Sequence, residues 1–222
     1  MPHAYGGSWT ILDFVTRRQI ACIQPKTAVD FGAGAGKNGR IVREVLGNAC
    51  RIVAVEGFAR TVEKLKKDGI YDQVCGMLIS DWLHANAQHH DLAIFGDVLE
   101  HLPRREIFRT VRSALKVFGE IIIVVPLCDV CQGTEYGNAL EVHRAYIDER
   151  YFDCFNPVEK HIIKDNVHIM MNVRLNGRQS LAASGLLKLD RHRVFSYGMM
   201  ALDRIGLAKG FYEALKRLRL LS

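Results

Sequence analysis

A chain of 222 residues, 49% hydrophobic and 24% charged, is built for one globular domain with at most an appendage. No run of about 18 apolar residues occurs, which excludes a membrane-spanning helix, and MPHAYGGSWTILDF lacks the basic-then-apolar order of a secretory signal. The net charge of +6 arises wholly after residue 176, where nine Lys and Arg outnumber three acids, so the neutral body offers no basic patch with interleaved aromatics to read nucleic acid.

Apolar runs then alternate with helical patterns in chain order. SWTILDFVTRRQIACIQ reads as an amphipathic edge helix, TAVDF as a strand and KNGRIVREVLG as a helix. RIVAVEGF is a strand, ARTVEKLKKDG a helix stopped by Gly69, QVCGML a strand and SDWLHANAQ a short helix or turn. DLAIFG is a strand, followed by RREIFRTVRSALKVFG, a helix opened by Pro103 and closed by Gly119, and then by the strand EIIIVVP. Strands apolar on both faces and alternating with helices give an α/β, doubly wound, mostly parallel sheet. After Pro126 comes a long loop to His143, then a short helix YIDERYFDCF, then PVEKHIIKD and VHIMMNVRL as an antiparallel pair around a tight turn. From Arg178 onward only helices are expected. We therefore place one domain over residues 1–176 and a basic helical extension over 177–222.

Four glycines within Val29–Gly39, VDFGAGAGKNG, imply that something approaches the backbone behind the first strand. A phosphate loop is excluded, because only three residues separate Gly32 from Gly36 and Asn38 follows Lys37 where a hydroxyl is needed. A dinucleotide is a stronger rival: Gly34-x-Gly36-x-x-Gly39 fits the pattern, with Glu56 at the end of the second strand. Against it stands Asp30, whose carboxylate would meet a pyrophosphate at the helix N-terminus. S-adenosylmethionine carries no phosphate but has an ammonium and a sulfonium, which Asp30 and the loop carbonyls suit. In that reading Glu56 takes the two ribose hydroxyls, Asp81 accepts from the adenine amino group and Trp82 lies on the ring face.

Taken together, VDFGAGAG, VAVEGF, SDWL and FGDVLEHL resemble the class I S-adenosylmethionine-dependent methyltransferases in order and spacing, over roughly Tyr5 to Pro126. The resemblance implies a seven-stranded sheet with an antiparallel last strand. It also implies cofactor-binding roles for Asp30, Gly32, Gly34, Glu56, Asp81 and Asp97, with Gly36 in the same loop. Phe31 departs from the family, many members of which have a smaller residue there. YGGSW is expected to close over the methionine end, with Tyr5 and Trp9 as walls.

Methyl transfer to a hydroxyl needs a proton acceptor, and His101 in DVLEHL and His143 in GNALEVHRAY are the candidates for catalysis. The GN-x-x-E-x-H segment resembles one in bacterial methyltransferases that act on sugar or polyketide-like acceptors. The expected acceptor is a small molecule or a glycan, methylated at oxygen. No metal is expected, since Cys128-Asp-Val-Cys131 is a single C-x-x-C without a second pair. His89 and His90 are expected to face solvent. Six scattered cysteines read as buried free thiols of a reducing compartment, hence a cytoplasmic protein. In GFYEALKRLRLL the apolar Phe211, Leu215, Leu218 and Leu221 segregate from Lys216, Arg217 and Arg219. Such a helix docks on its own domain, forms a homodimer, or lies on the inner membrane surface as a peripheral contact. Two other functional classes stay open from sequence: an NAD-dependent oxidoreductase and a non-catalytic scaffold of methyltransferase fold.

Overall fold

The computed structural model describes residues 9–127, 138–165 and 169–180. Tyr5, the C-x-x-C cysteines and the tail beyond Ser180 therefore lie outside the described residues. Seven strands form one sheet: β1 (Thr27–Phe31), β2 (Arg51–Glu56), β3 (Gln73–Gly76), β4 (His90–Gly96), β5 (Phe118–Pro126), β6 (Glu159–Lys164) and β7 (Ile169–Asn176). Their order is β3-β2-β1-β4-β5-β7-β6. The first five are mutually parallel, and β7 runs antiparallel to both β5 and β6. The antiparallel strand is thus internal and β6 is the edge. Helices α1 (Asp13–Ile23), α2 (Lys37–Leu46), α3 (Ala59–Asp68), α4 (Ile79–Ala85) and α5 (Arg104–Ala114) complete the alternation.

Because side chains alternate along a strand, each parallel strand feeds two cores. One is built from Val29, Phe31, Val53, Val55, Phe95 and Ile121 with α4 and α5, and the other from Ala28, Ala54, Ile94 and Ile122 with α1 and α2. Phe31, unusual for its position, stacks on Phe95 at 4.8 Å and meets Trp82 edge-on at 5.2 Å.

Three expectations about elements change. Helix α5 stops at Ala114, before Gly119, because Lys116 and Val117 amides turn back onto Ser113 and Ala114 and Phe118 is already paired with His90. The YIDERYFDCF helix is reduced to a tight turn at Asp153–Phe155. His90 does not face solvent: it opens β4, is buried and packs on Trp82 and Phe118, and that burial lowers its pKa. Among the described cysteines Cys50 and Cys154 are buried thiols, whereas Cys22 is exposed. No described helix is long and apolar enough to cross a membrane.

Candidate functional site

The C-terminal ends of the central parallel strands converge on the glycine loop, where a doubly wound sheet places its ligands. Gly32, Gly34 and Gly36 all have positive φ, 66°, 51° and 82°. Left-handed backbone repeated at alternate residues is what only glycine provides without strain. At Gly32 there is also no room: a Cβ would stand 2.4 Å from Val98 Cγ2. The Gly32 amide donates to Val55 O at 2.8 Å, tying the loop to β2.

Glu56, the last residue of β2, reaches across to this loop. Its Oε2 accepts from the Gly34 amide at 3.0 Å and its Oε1 from the Phe58 amide at 2.8 Å. Burial raises its pKa, and these two donors act against the rise. Beside it lies an apolar rim: a Cβ on Gly57 would touch Leu140 and Leu78, which are exposed, as is Met77.

Asp97, just beyond β4, has φ +51°, a left-handed conformation that Asp tolerates better than most residues. Its carboxylate lies 3.5 Å from Lys37 Nζ, which also donates to the Trp9 carbonyl at 2.9 Å and pairs with Asp13 at 3.5 Å. Trp9 is therefore joined to the loop through its backbone.

Glu100 and His101 follow in the next turn. His143 is brought to them from 42 residues further on, because the Arg144 and Ala145 amides both donate to the Glu100 carbonyl, at 2.8 and 3.1 Å. The His101 and His143 rings meet edge to face at 4.9 Å. Burial, reinforced by the Asp97 charge, holds the Glu100 carboxyl well above the usual range, and burial lowers the His101 pKa.

No protein-family model matches the chain, and no curated protein matches it in sequence. Solved structures do. The N-terminal domain of EvdMO1, determined with SAH and D-fucose, is 15% identical with a TM-score of 0.59, covering 77% of this chain and 84% of that one. The 1,6-didemethyltoxoflavin-N1-methyltransferase of Burkholderia thailandensis, determined with its substrate and S-adenosylhomocysteine, is 14% identical with a TM-score of 0.55, covering 75% and 79%. The mitomycin 7-O-methyltransferase MmcR is 16% identical with a TM-score of 0.50; 74% of this chain matches, spanning about half, 54%, of that enzyme. The fold is that of the class I methyltransferases.

Within this methyltransferase fold three of the expected cofactor residues are placed differently from the expectation. Trp82 does not present a ring face to a ligand: it is 3% exposed and packed among Phe31, Phe118 and His90, since α4 turns its bulkiest apolar side chain into the core. Asp81 does not end β3: the strand stops at Gly76 and Asp81 is an exposed residue of the first turn of α4, bonded to Ser80. Asp30 is 1% exposed beneath the loop, its two oxygens accepting from Asn38 Nδ2 at 3.0 Å and Tyr71 OH at 2.7 Å. Strand alternation places it below the loop, where it holds the Asn38 and Tyr71 side chains. Gly32, Gly34, Gly36, Glu56 and Asp97 do line the same strand ends, with His101 and His143 on the Asp97 side.

Sequence reading missed Met77, Leu78 and Leu140 at the Glu56 end and Glu100 at the other. The directly readable signal was that Met77 and Leu78, not an acid, follow the end of QVCG. Leu140 and Glu100 had none, because their neighbours come from distant segments.

Proposed function

We propose that this chain is an S-adenosylmethionine-dependent methyltransferase that methylates an oxygen of a small-molecule or glycan-type acceptor. One observation carries the reading: the Glu56 carboxylate closes on the Gly34 amide, so a fixed anion frames the open side of the loop. A Cβ at Gly34 would have only the Gly32 carbonyl near it, at 3.7 Å, so this backbone is open to approach. A carboxylate acceptor at that point fits ribose hydroxyls, and the preference for S-adenosylmethionine over a dinucleotide is supported by neighbours of the same fold determined with S-adenosylhomocysteine.

When bound, S-adenosylmethionine supplies a methyl group activated on a sulfonium. The chain's own task is to position and to exclude water. Gly32, Gly34 and Gly36 give backbone access, Glu56 holds the ribose hydroxyls, and Leu78, Met77 and Leu140 offer an apolar border at the same end. Asp97 and Lys37 fix the opposite wall, and removal of the acceptor's proton falls to the adjacent Glu100, His101 and His143 group. Support for oxygen as the target comes from the mitomycin enzyme, named for 7-O-methylation, and support for a sugar-like acceptor from the domain determined with D-fucose. The N1-methylating neighbour shows that the fold also serves nitrogen.

Calorimetry of the full chain should show S-adenosylhomocysteine binding and no NADH binding. Glu56→Ala should weaken that binding by about 10- to 100-fold, as expected for losing hydrogen bonds to a charged group. NADH binding in place of S-adenosylhomocysteine would overturn the reading in favour of an oxidoreductase.

A further inference from the structure

Glu100, His101 and His143 each present one ligand atom, and these atoms lie within 4.8 Å of one another. Glu100 is 3% exposed, and its Oε2 has no hydrogen-bond partner among the described residues. A buried carboxylate is costly unless a cation or donor faces it. Nearby Lys37 is engaged elsewhere, by the Trp9 carbonyl, Asp13 and Asp97.

The chain holds this group together from outside it. The two amides on the Glu100 carbonyl fix the backbone beside His143. A few residues on, Asp148 pairs with the buried Arg104 at 3.2 Å, and Arg104 also donates to the Tyr146 carbonyl. The Tyr151 hydroxyl in turn donates to the Arg104 carbonyl at 2.6 Å. Residues 144–151 are thereby anchored to the start of α5, and His143 is held over His101.

We propose that Glu100, His101 and His143 bind one divalent first-row transition-metal ion. Two borderline imidazole nitrogens and one hard carboxylate oxygen suit Zn²⁺, Fe²⁺, Mn²⁺ or Co²⁺, whereas Mg²⁺ and Ca²⁺ prefer all-oxygen sets. Bonds of about 2.0–2.2 Å put tetrahedral ligand atoms roughly 3.3–3.6 Å apart. Rotations drawing the side chains together by about 1 Å would close the site. Three protein ligands leave positions open, as in metal sites that act on a substrate. Because Asp97 joins this cluster to the glycine loop, those positions face the acceptor side. That last placement rests on the methyltransferase reading; the ion site itself does not, and an ion there would take the place of the proton-acceptor role given to the same three side chains above.

The test uses the full chain, freed of metal by a chelator and titrated with Zn²⁺ in a calorimeter and with Co²⁺ by its visible d–d absorption. One ion per chain is expected. Glu100→Gln and His143→Ala should each weaken binding by more than about 100-fold, beyond the 10–100-fold that loss of an outer-shell partner costs. Cys128→Ser with Cys131→Ser should bind like the parent. Absence of binding, or binding untouched by His143→Ala, overturns the site. Should Glu100→Gln not fold, His143→Ala on its partly exposed segment decides alone. S-adenosylhomocysteine titrations run in parallel separate the two readings. Ion without nucleoside removes only the methyltransferase assignment, and nucleoside without ion removes only the metal site.

Discussion

Asp30 illustrates how much a single carboxylate can couple loop geometry to pH. Two donors serve it, yet burial prevails and its pKa rises from 3.8 to about 6. Between those values the native chain keeps a proton that the unfolded chain has released. Stability should therefore fall as pH rises from about 4 to about 6 and level off above. At roughly 1.36 kcal/mol per pH unit, Asp30 accounts for about 3 kcal/mol of that decline. Urea unfolding at pH 4, 5, 6 and 7 should show the slope flattened in Asp30→Asn; an unchanged slope would refute the assignment. Trp82 is the complementary case. Trp82→Ala should cost about 3–5 kcal/mol in unfolding free energy as a core deletion. Its affinity for S-adenosylhomocysteine at a temperature where it remains folded should match the parent's, because the indole lies in the core and not at the loop.

At the scale of elements, α2 shows packing overruling propensity. Gly39 lies inside the helix, where Ala is ordinarily preferred by about 1 kcal/mol. Here a Cβ would stand 2.4–2.6 Å from the Tyr71 ring, the same ring whose hydroxyl serves Asp30. Gly39→Ala should therefore destabilise, by about 1–3 kcal/mol, and chemical denaturation gives the sign directly. Gly96 plays the matching part for Asn38, whose Nδ2 would be 2.4 Å from a Cβ there. In sequence Gly39 reads as the third glycine of a dinucleotide pattern and Gly96 as the end of a strand; their packing reason is the Asp30 cluster. The helix and strand periods themselves were legible, since they are local. Boundaries were less so: α5 runs to Gly119 by pattern, yet strand pairing of Phe118 with His90 claims those residues first.

Across the whole molecule, the first helix is joined to the last strand. Gln19 and Asn172, 1% and 0% exposed, exchange both amide hydrogen bonds at 2.8 and 3.0 Å over 153 residues of chain. Gln19 also donates to Glu159 at 3.1 Å on the edge strand, and Arg18 pairs with the same carboxylate. Asn172→Leu should leave the Gln19 side-chain carbonyl without its donor in the core and cost about 1–3 kcal/mol. Replacing both residues by Leu should cost less than the two single changes summed, a coupling that a double-mutant cycle by denaturation would measure. Additive losses would mean that the pair does not hold α1 to the sheet.

By itself the sequence determined the alternation of strands and helices, the glycine loop and Glu56 at the second strand's end, because each rests on spacing within a few residues. Periodicity cannot say which way an acid or an indole faces once the chain is packed. Only the tertiary structure could bury Asp30 and Trp82, leave Asp81 in solvent, and bring His143 to Glu100 through two amides on one carbonyl. Those outcomes depend on contacts between segments tens of residues apart, where burial and hydrogen-bond satisfaction are settled jointly.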